Sequence, residues 1–243
     1  MHRFFISPTS IHTGQVVFPL ETAHQINHVL RLRAGQRLIV LDNLGNEYTV
    51  ELEETGPKAA SGKIIDQKTA QGEPACRLAL YLCLAQREKF EWMLQKCTET
   101  GASTFVPVIS SRSLVQGQVE TNKKAARWEK ILQEAAEQSG RGRIPLLEPA
   151  VHLAQALKQA QGKRILLWEQ ERSAVLGQAL AGLPAEDSPE ISLLVGPEGG
   201  FSDEEVKSAV QAGWQPVSLG KRILRMETAA VVATALVMYE LEK

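Results

Sequence analysis

Leu193-Leu194-Val195-Gly196-Pro197-Glu198-Gly199-Gly200-Phe201, running on into Ser202-Asp203-Glu204-Glu205, holds three structural instructions in succession. The apolar run from Ile191 to Val195 reads as a buried strand. Three glycines and a proline between positions 196 and 200 end it in a tight turn. Ser202 with Glu205 three residues later is a capping box, so a helix starts there. Strand, turn and capped helix form the repeating unit of a sheet with helices packed on it. In open sheets of this kind ligands bind beyond the carboxyl ends of the strands, in the loops that lead into helices. The glycines let the backbone approach a ligand closely and present its N–H groups. The spacing is neither a Walker phosphate loop nor a dinucleotide fingerprint. Glu198 in the middle would repel a phosphate but suits a cationic group or a hydroxyl. Taken alone, a glycine turn with no ligand explains the loop equally well.

A second loop of this kind lies closer to the C-terminus. Pro216 to Leu219 is a short apolar strand. Leu219-Gly220-Lys221-Arg222-Ile223-Leu224-Arg225-Met226-Glu227-Thr228-Ala229-Ala230 carries it into a final helix, Glu227 to Glu242. Arg225 and Glu227 stand at the helix entrance, beside the unpaired backbone donors of its first turn. Further apolar runs occur at Leu78 to Leu84, Phe105 to Ile109 and Arg164 to Trp168. Helical patterns lie between most of the strands, at Lys89 to Thr100, Lys123 to Gln138, Leu153 to Ala160 and Asp203 to Ala212. Near-continuous apolar strands alternating with helices predict an α/β domain with a mostly parallel sheet covered on both faces.

The N-terminal seventy or so residues have a different rhythm. Short β-rich runs at Arg3 to Ser7, Gln15 to Phe18, Arg37 to Asp42, Glu47 to Glu53 and Gly62 to Thr69 surround one helical pattern, Glu21 to Arg33. Asn43-Leu44-Gly45-Asn46 is a turn between two of the strands. A small barrel-like module is the expectation for residues 1–72. The polar linker Thr69-Ala70-Gln71-Gly72-Glu73-Pro74 separates it from the larger domain, 73–243.

Composition narrows the function classes. The 243 residues are 44% apolar and 23% charged, as in an ordinary folded protein. The longest apolar stretch, Ala229 to Tyr239, is far short of the roughly 20 residues of a membrane span, and the first residues lack the apolar core of a secretory signal. Cys76, Cys83 and Cys97 are widely spaced, which points to reduced, buried cysteines in a cytoplasmic protein. His24 and His28 have the spacing of a metal pair but no third ligand, so no metal is expected. Trp92 and Trp128 fall on apolar helix faces, in the core or at a subunit interface. A net charge of −1 argues against indiscriminate coating of nucleic acid and leaves room for a local basic patch.

Together the two loops resemble the cofactor-binding loops of the SPOUT methyltransferases. Within that class the chain resembles the family that methylates N3 of a uridine in 16S ribosomal RNA. The likeness extends to Phe4-Phe5, to His28-Val29-Leu30-Arg31-Leu32-Arg33-Ala34-Gly35, and to Glu134-Ala135-Ala136-Glu137-Gln138-Ser139-Gly140-Arg141. It departs from the family pattern at Gln86-Arg87-Glu88, where a lysine commonly begins the segment, and at Ser111-Arg112-Ser113, where an acidic residue often precedes the arginine.

The resemblance implies a PUA-like RNA-binding domain followed by a SPOUT domain with a C-terminal trefoil knot. Knots are nearly absent from proteins, so the residue pattern by itself argues against one. It further implies a homodimer, S-adenosylmethionine as cofactor, and 16S ribosomal RNA or the assembled small ribosomal subunit as partner. The cofactor site would be Leu167, Trp168 and Glu169 after one strand, Gly196, Pro197, Glu198 and Gly199 after the next, and Leu219, Gly220, Ile223, Leu224 and Arg225 before the last helix. RNA contacts would come from Arg3, His28, Arg31 and Arg33 in the small domain and Arg112, Arg141 and Arg143 in the large one. Uridine N3 is a useful nucleophile only as its proton leaves. Arg225 is the expected stabiliser of the resulting negative charge, with Glu198 or Glu227 as proton acceptor. The competing readings are another SPOUT activity, on a ribose 2′-hydroxyl or a tRNA base, and a non-catalytic ribosome-assembly protein that binds RNA.

Overall fold

The computed structural model describes residues 1–56, 59–113, 123–183 and 188–243. The chain forms two compact units. One comprises Met1–Glu73 with Ala136–Ile144, the other Pro74–Ala135 with Pro145–Lys243.

In the first unit six strands form one curled sheet. They are β1 (Arg3–Phe5), β2 (Ile11–His12), β3 (Gln15–Val17), β4 (Arg37–Leu41), β5 (Asn46–Thr55) and β6 (Ala60–Thr69), in the order β1-β4-β5-β6-β3-β2. Only β1 and β4 run parallel. Register shifts at Thr49/Val50 and Leu52/Glu54 interrupt the β5–β6 pairing, and such irregularities bend a long hairpin. Phe4, Val16, Leu38, Val40, Val50 and Leu52 fill the concave side with Phe18 and Ile26. The turn before β5 is built on the buried Asp42, whose carboxylate accepts from the N–H groups of Leu44 and Asn46, the Asn46 amide and the Tyr48 hydroxyl. Burial pushes against ionisation there, but these hydrogen bonds prevail and hold the carboxyl below its usual range.

The helix of this unit is shorter than the pattern Glu21 to Arg33 predicts. α1 (Leu20–His24) passes into a π turn, Gln25–Val29. Asn27 donates both to Ala23 O and to Gly56 O, tying the turn to the β5–β6 loop. Arg31 then adopts a left-handed backbone, φ 53°, which ends the helix. Ala136–Ile144, read in linear order as part of 73–243, packs with this unit instead. Glu73 accepts from the N–H groups of Gly142 and Arg143, and Asn43 from that of Ile144.

The second unit is a parallel sheet of β7 (Arg77–Cys83), β8 (Thr104–Ile109), β9 (Leu146–Leu147), β10 (Val151–His152), β11 (Lys163–Leu167), β12 (Glu190–Val195) and β13 (Gln215–Val217). Its order is β10-β8-β7-β12-β11-β13, with β9 also on β8. Leu78, Leu80, Leu82, Leu193 and Leu194 are fully buried, as strands covered on both faces require. Five longer helices match the predicted patterns to within about two residues: α2 (Arg87–Glu99), α3 (Ala125–Ser139), α4 (Leu153–Gln159), α6 (Asp203–Gln211) and α7 (Met226–Leu241); α5 (Leu176–Leu180) and the two-residue strands carried no sequence signal. Trp128 packs on Phe90, ring centroids 4.7 Å apart, whereas Trp92 is 42% exposed. All three cysteines are free and buried. After β13, α7 turns back to pack against α2, α5 and β12. Among the described residues no helix is long and apolar enough to cross a membrane.

Candidate active site

The strands β12, β11 and β13 are neighbours and parallel, with Leu194 level with Leu166 and Leu167 level with Val217. Their carboxyl ends therefore open at the same height, and the loops that follow enclose a cavity of about 510 Å³. That is within the range of small-molecule sites.

The loop after β11 supplies the first wall. Trp168 is held by its backbone N–H on Val217 O at 3.0 Å, while its indole Nε1 is buried without a hydrogen-bond partner. Beyond Glu169 the chain is fixed by Glu171, whose Oε1 accepts from the N–H groups of Arg172, Ser173 and Ala174 and from the Ser173 hydroxyl. The Ser173 hydroxyl and then these N–H groups push the Glu171 carboxyl down to about 2. Arg172 reaches back to Glu169 O at 2.6 Å.

The glycine loop forms the second wall. At Gly196 a Cβ would stand 2.8 Å from the buried Phe201 ring, so only glycine allows this close approach. Gly200 has φ +67° and donates to Pro197 O at 2.9 Å. Glu198 pairs with Lys89 Nζ at 2.7 Å, each side chain about one-third exposed. Arg112 donates to Gly199 O at 2.9 Å.

The third wall is the segment after β13. Ser218 donates its N–H to Ala174 O, and its hydroxyl closes a turn on Gly220. Ile223, an apolar side chain, is 82% exposed at the cavity. The floor is the start of α7, where Arg225 is an extended N-cap without a side-chain capping bond. Met226, Glu227 and Ala229 also face the cavity. The unpaired N–H groups of a helix start and its positive dipole end favour negative charge.

Every cofactor-site residue named from sequence lines this one cavity: Leu167 to Glu169, Gly196 to Gly199, Leu219, Gly220, and Ile223 to Arg225; Glu227 joins them. Lys89 and Arg172 line it too. Neither carries a local sequence signal, since Lys89 meets its partner across 109 positions.

The arginines and His28 divide by environment. In the first unit His28 is exposed, its ring edge-on to His24 at 4.5 Å, and Arg31 and Arg33 are exposed. Arg3 is paired with the buried Glu47 at 2.6 Å, with Lys68 on the other carboxylate oxygen. Burial opposes ionisation of Glu47, but the two cations override it and lower its pKa. Arg141 is only 3% exposed in side chain and pairs with Glu73, so it orders the loop that presents Arg143. Arg143 in turn donates to Leu44 O at 3.1 Å. Arg112, in the second unit, lies on the glycine loop. Among the described residues no group of three or more His, Cys, Asp or Glu side chains is placed to hold a metal.

A parallel α/β sheet with a ligand cavity at its carboxyl edge, preceded by a small curled β unit, defines a two-domain enzyme scaffold. The chain belongs to the RNA methyltransferase family: the model of the RNA methyltransferase domain matches residues 72–238, and that of the RNA methyltransferase PUA domain matches residues 22–65. It is similar to ribosomal RNA small subunit methyltransferase E of Synechocystis, 34% identical over 96% of this chain and 76% of that one. The Bacillus subtilis protein of the same name is 31% identical over 100% of this chain and 98% of its own length. A crystal structure of ribosomal RNA small subunit methyltransferase E from Neisseria gonorrhoeae bound to S-adenosyl methionine superposes with a TM-score of 0.88. It is 31% identical and covers 98% of this chain and 97% of that one.

Proposed function

We propose that this protein transfers the methyl group of S-adenosylmethionine to N3 of one uridine in the 16S RNA of the small ribosomal subunit, as a cytoplasmic homodimer. The observation that carries the reading is the convergence of three loops, picked out in the sequence for this cofactor, on one cavity. Full-length similarity to relatives named for methylation of small-subunit ribosomal RNA supports the substrate. Exposed Trp92 on α2 and exposed Leu236 and Tyr239 on α7, two helices that pack together, support a second copy.

The residues present suit the cofactor. Apolar Leu219, Leu224 and Ile223 can cover an adenine, and the turned glycine backbone can read its edge. When bound, S-adenosylmethionine supplies a methyl group already activated by its sulfonium charge. The protein then supplies orientation and electrostatics. Arg225 and the N-terminus of α7 stabilise negative charge on the uracil as N3 loses its proton. Glu198, set by Lys89, and Glu227 are the carboxylates at hand to accept that proton. His28, Arg31, Arg33 and Arg143, with Arg3, provide the RNA-facing charge of the first unit, where guanidinium groups pair with phosphate and stack on splayed bases.

The test is methyl transfer from labelled S-adenosylmethionine to small ribosomal subunits and to naked 16S RNA, both lacking the modification, followed by nuclease digestion and mass spectrometry. Recovery of 3-methyluridine at one position is the expected result. A different methylated nucleoside, or no transfer despite cofactor binding, overturns the substrate assignment.

A further inference from the structure

The glycine loop carries a conformational hazard. Gly199 and Gly200 are adjacent, and a peptide between two glycines rotates more easily than any other, because neither flank has a Cβ to oppose it. A rotated 199–200 peptide would reverse the polar face that the loop turns to the cavity. In this structure both ends of that peptide are fixed. Its N–H, on Gly200, donates to Pro197 O at 2.9 Å. Its carbonyl, on Gly199, accepts from Arg112 Nη1 at 2.9 Å. The stem of Arg112 lies along the same residue, with Cβ and Cδ each 3.6 Å from where a Gly199 Cβ would stand.

The turn that carries Arg112 is itself built for this contact. Ser110 and Ser113 are buried and joined hydroxyl to hydroxyl at 2.9 Å. Between them, Ser111 donates its N–H to Glu205 Oε1 at 2.9 Å. Glu205 is the capping-box residue of α6, and its other oxygen accepts from Ser202 N–H. The turn after β8 thus grips the glycine loop twice, at Gly199 and at the start of the helix that follows. Lys89 holds Glu198 as well. Glu198 and Gly199 face the cavity, whereas Arg112 is not among the described residues that line it.

We propose that Arg112 is a positioning residue for the cofactor loop, locking the Gly199–Gly200 peptide in the orientation that binds S-adenosylmethionine, and that this is its principal role in place of contact with RNA. The inference rests on the reading that this cavity holds the cofactor. A charge-assisted hydrogen bond to a carbonyl is strong enough to hold a glycine peptide in one orientation. Arg112→Met keeps the stem and removes the donor, while Arg112→Lys restores one donor to the same carbonyl.

The experiment compares the wild-type protein with Arg112→Met and Arg112→Lys. It measures affinity for S-adenosylmethionine by calorimetry, affinity of the cofactor-free protein for 16S RNA, and the melting temperature. The expected result is a loss of cofactor affinity of about tenfold in Arg112→Met, most of it recovered in Arg112→Lys. RNA affinity and melting temperature stay at the wild-type values, since Arg112 is exposed and anchors no core. Unchanged cofactor affinity with weakened RNA binding overturns the proposal and makes Arg112 an RNA contact. A melting point that falls in step with affinity also overturns it, assigning Arg112 to domain stability. A wild-type protein that binds no S-adenosylmethionine sinks the functional reading itself, whereas equal affinity in wild type and variants sinks only the role of Arg112.

Discussion

Arg225 occupies an unusual position for a charged side chain. It is the N-cap of a long helix yet makes no side-chain capping bond, so its guanidinium is free of that structural duty and faces the cavity. Replacing it should therefore cost chemistry more than fold. Arg225→Ala is expected to lower kcat for methyl transfer by about two to three orders of magnitude, the usual cost of removing one transition-state donor. The melting temperature should stay within a degree or two of wild type, because the Arg225 side chain is exposed and makes no capping bond that its removal could break. Wild-type turnover in this variant would remove Arg225 from the reaction. Glu198 differs, because its pairing with Lys89 gives it a second function as an anchor of the loop. Arg141 marks the limit of reading charge from sequence. It belongs to a stretch shared with the family, but its guanidinium is committed to Glu73 inside the first unit.

At the scale of elements, α6 shows how local chemistry and long-range contact share one residue. Ser202 and Glu205 satisfy each other's backbone donors, and the pattern was legible in sequence because a capping box needs only residues three apart. The second partner of Glu205, the N–H of Ser111 94 positions away, was not. Urea unfolding should separate the two functions. Ser202→Ala is expected to cost about 1 kcal/mol, the usual loss of a cap. Glu205→Ala should cost more, since it strands the donors of both Ser202 and Ser111. Equal losses would show that the Ser111 contact contributes nothing to stability. The helix expected over Glu21 to Arg33 stops at Val29 for a related reason. Its apolar spacing is helical, but Asn27 is drawn to the Gly56 carbonyl and Arg31 turns left-handed.

For the molecule as a whole, the carboxylates set the acid limit of stability. Burial opposes ionisation of Asp42 and Glu47, and hydrogen bonds and cations overcome it; Glu91 is lowered by its two-pronged pairing with Arg127, and Glu171 by the Ser173 hydroxyl and backbone donors. A group whose folded pKa is depressed takes up protons less readily folded than unfolded. Its stabilisation is complete above the unfolded value and disappears as pH falls through the folded one. The denaturant midpoint should therefore be level down to about pH 5 and fall steadily from there toward pH 2. Asp42, Glu47 and Glu91, whose carboxylates are largely covered, should dominate, whereas Glu171 on its loop is screened by solvent. Glu47→Gln should flatten the decline; a profile as steep as wild type would show that Glu47 is not a source of it.

By itself the sequence determined the alternation of strand and helix, the polar linker near Glu73, and the glycine and helix-start signals of the loops after β12 and β13. These are properties of neighbouring residues: periodicity, turn chemistry and caps act over a few positions and are written in the chain. The tertiary structure alone decided which distant side chains reach those loops. Lys89 on Glu198, Arg112 on the Gly199 carbonyl and Ser111 on Glu205 bridge 109, 87 and 94 positions. It also decided that Ala136–Ile144 packs with the first unit. No local pattern encodes such contacts, because they follow from the order in which parallel strands pair, and that order is settled by burying the whole apolar sheet at once.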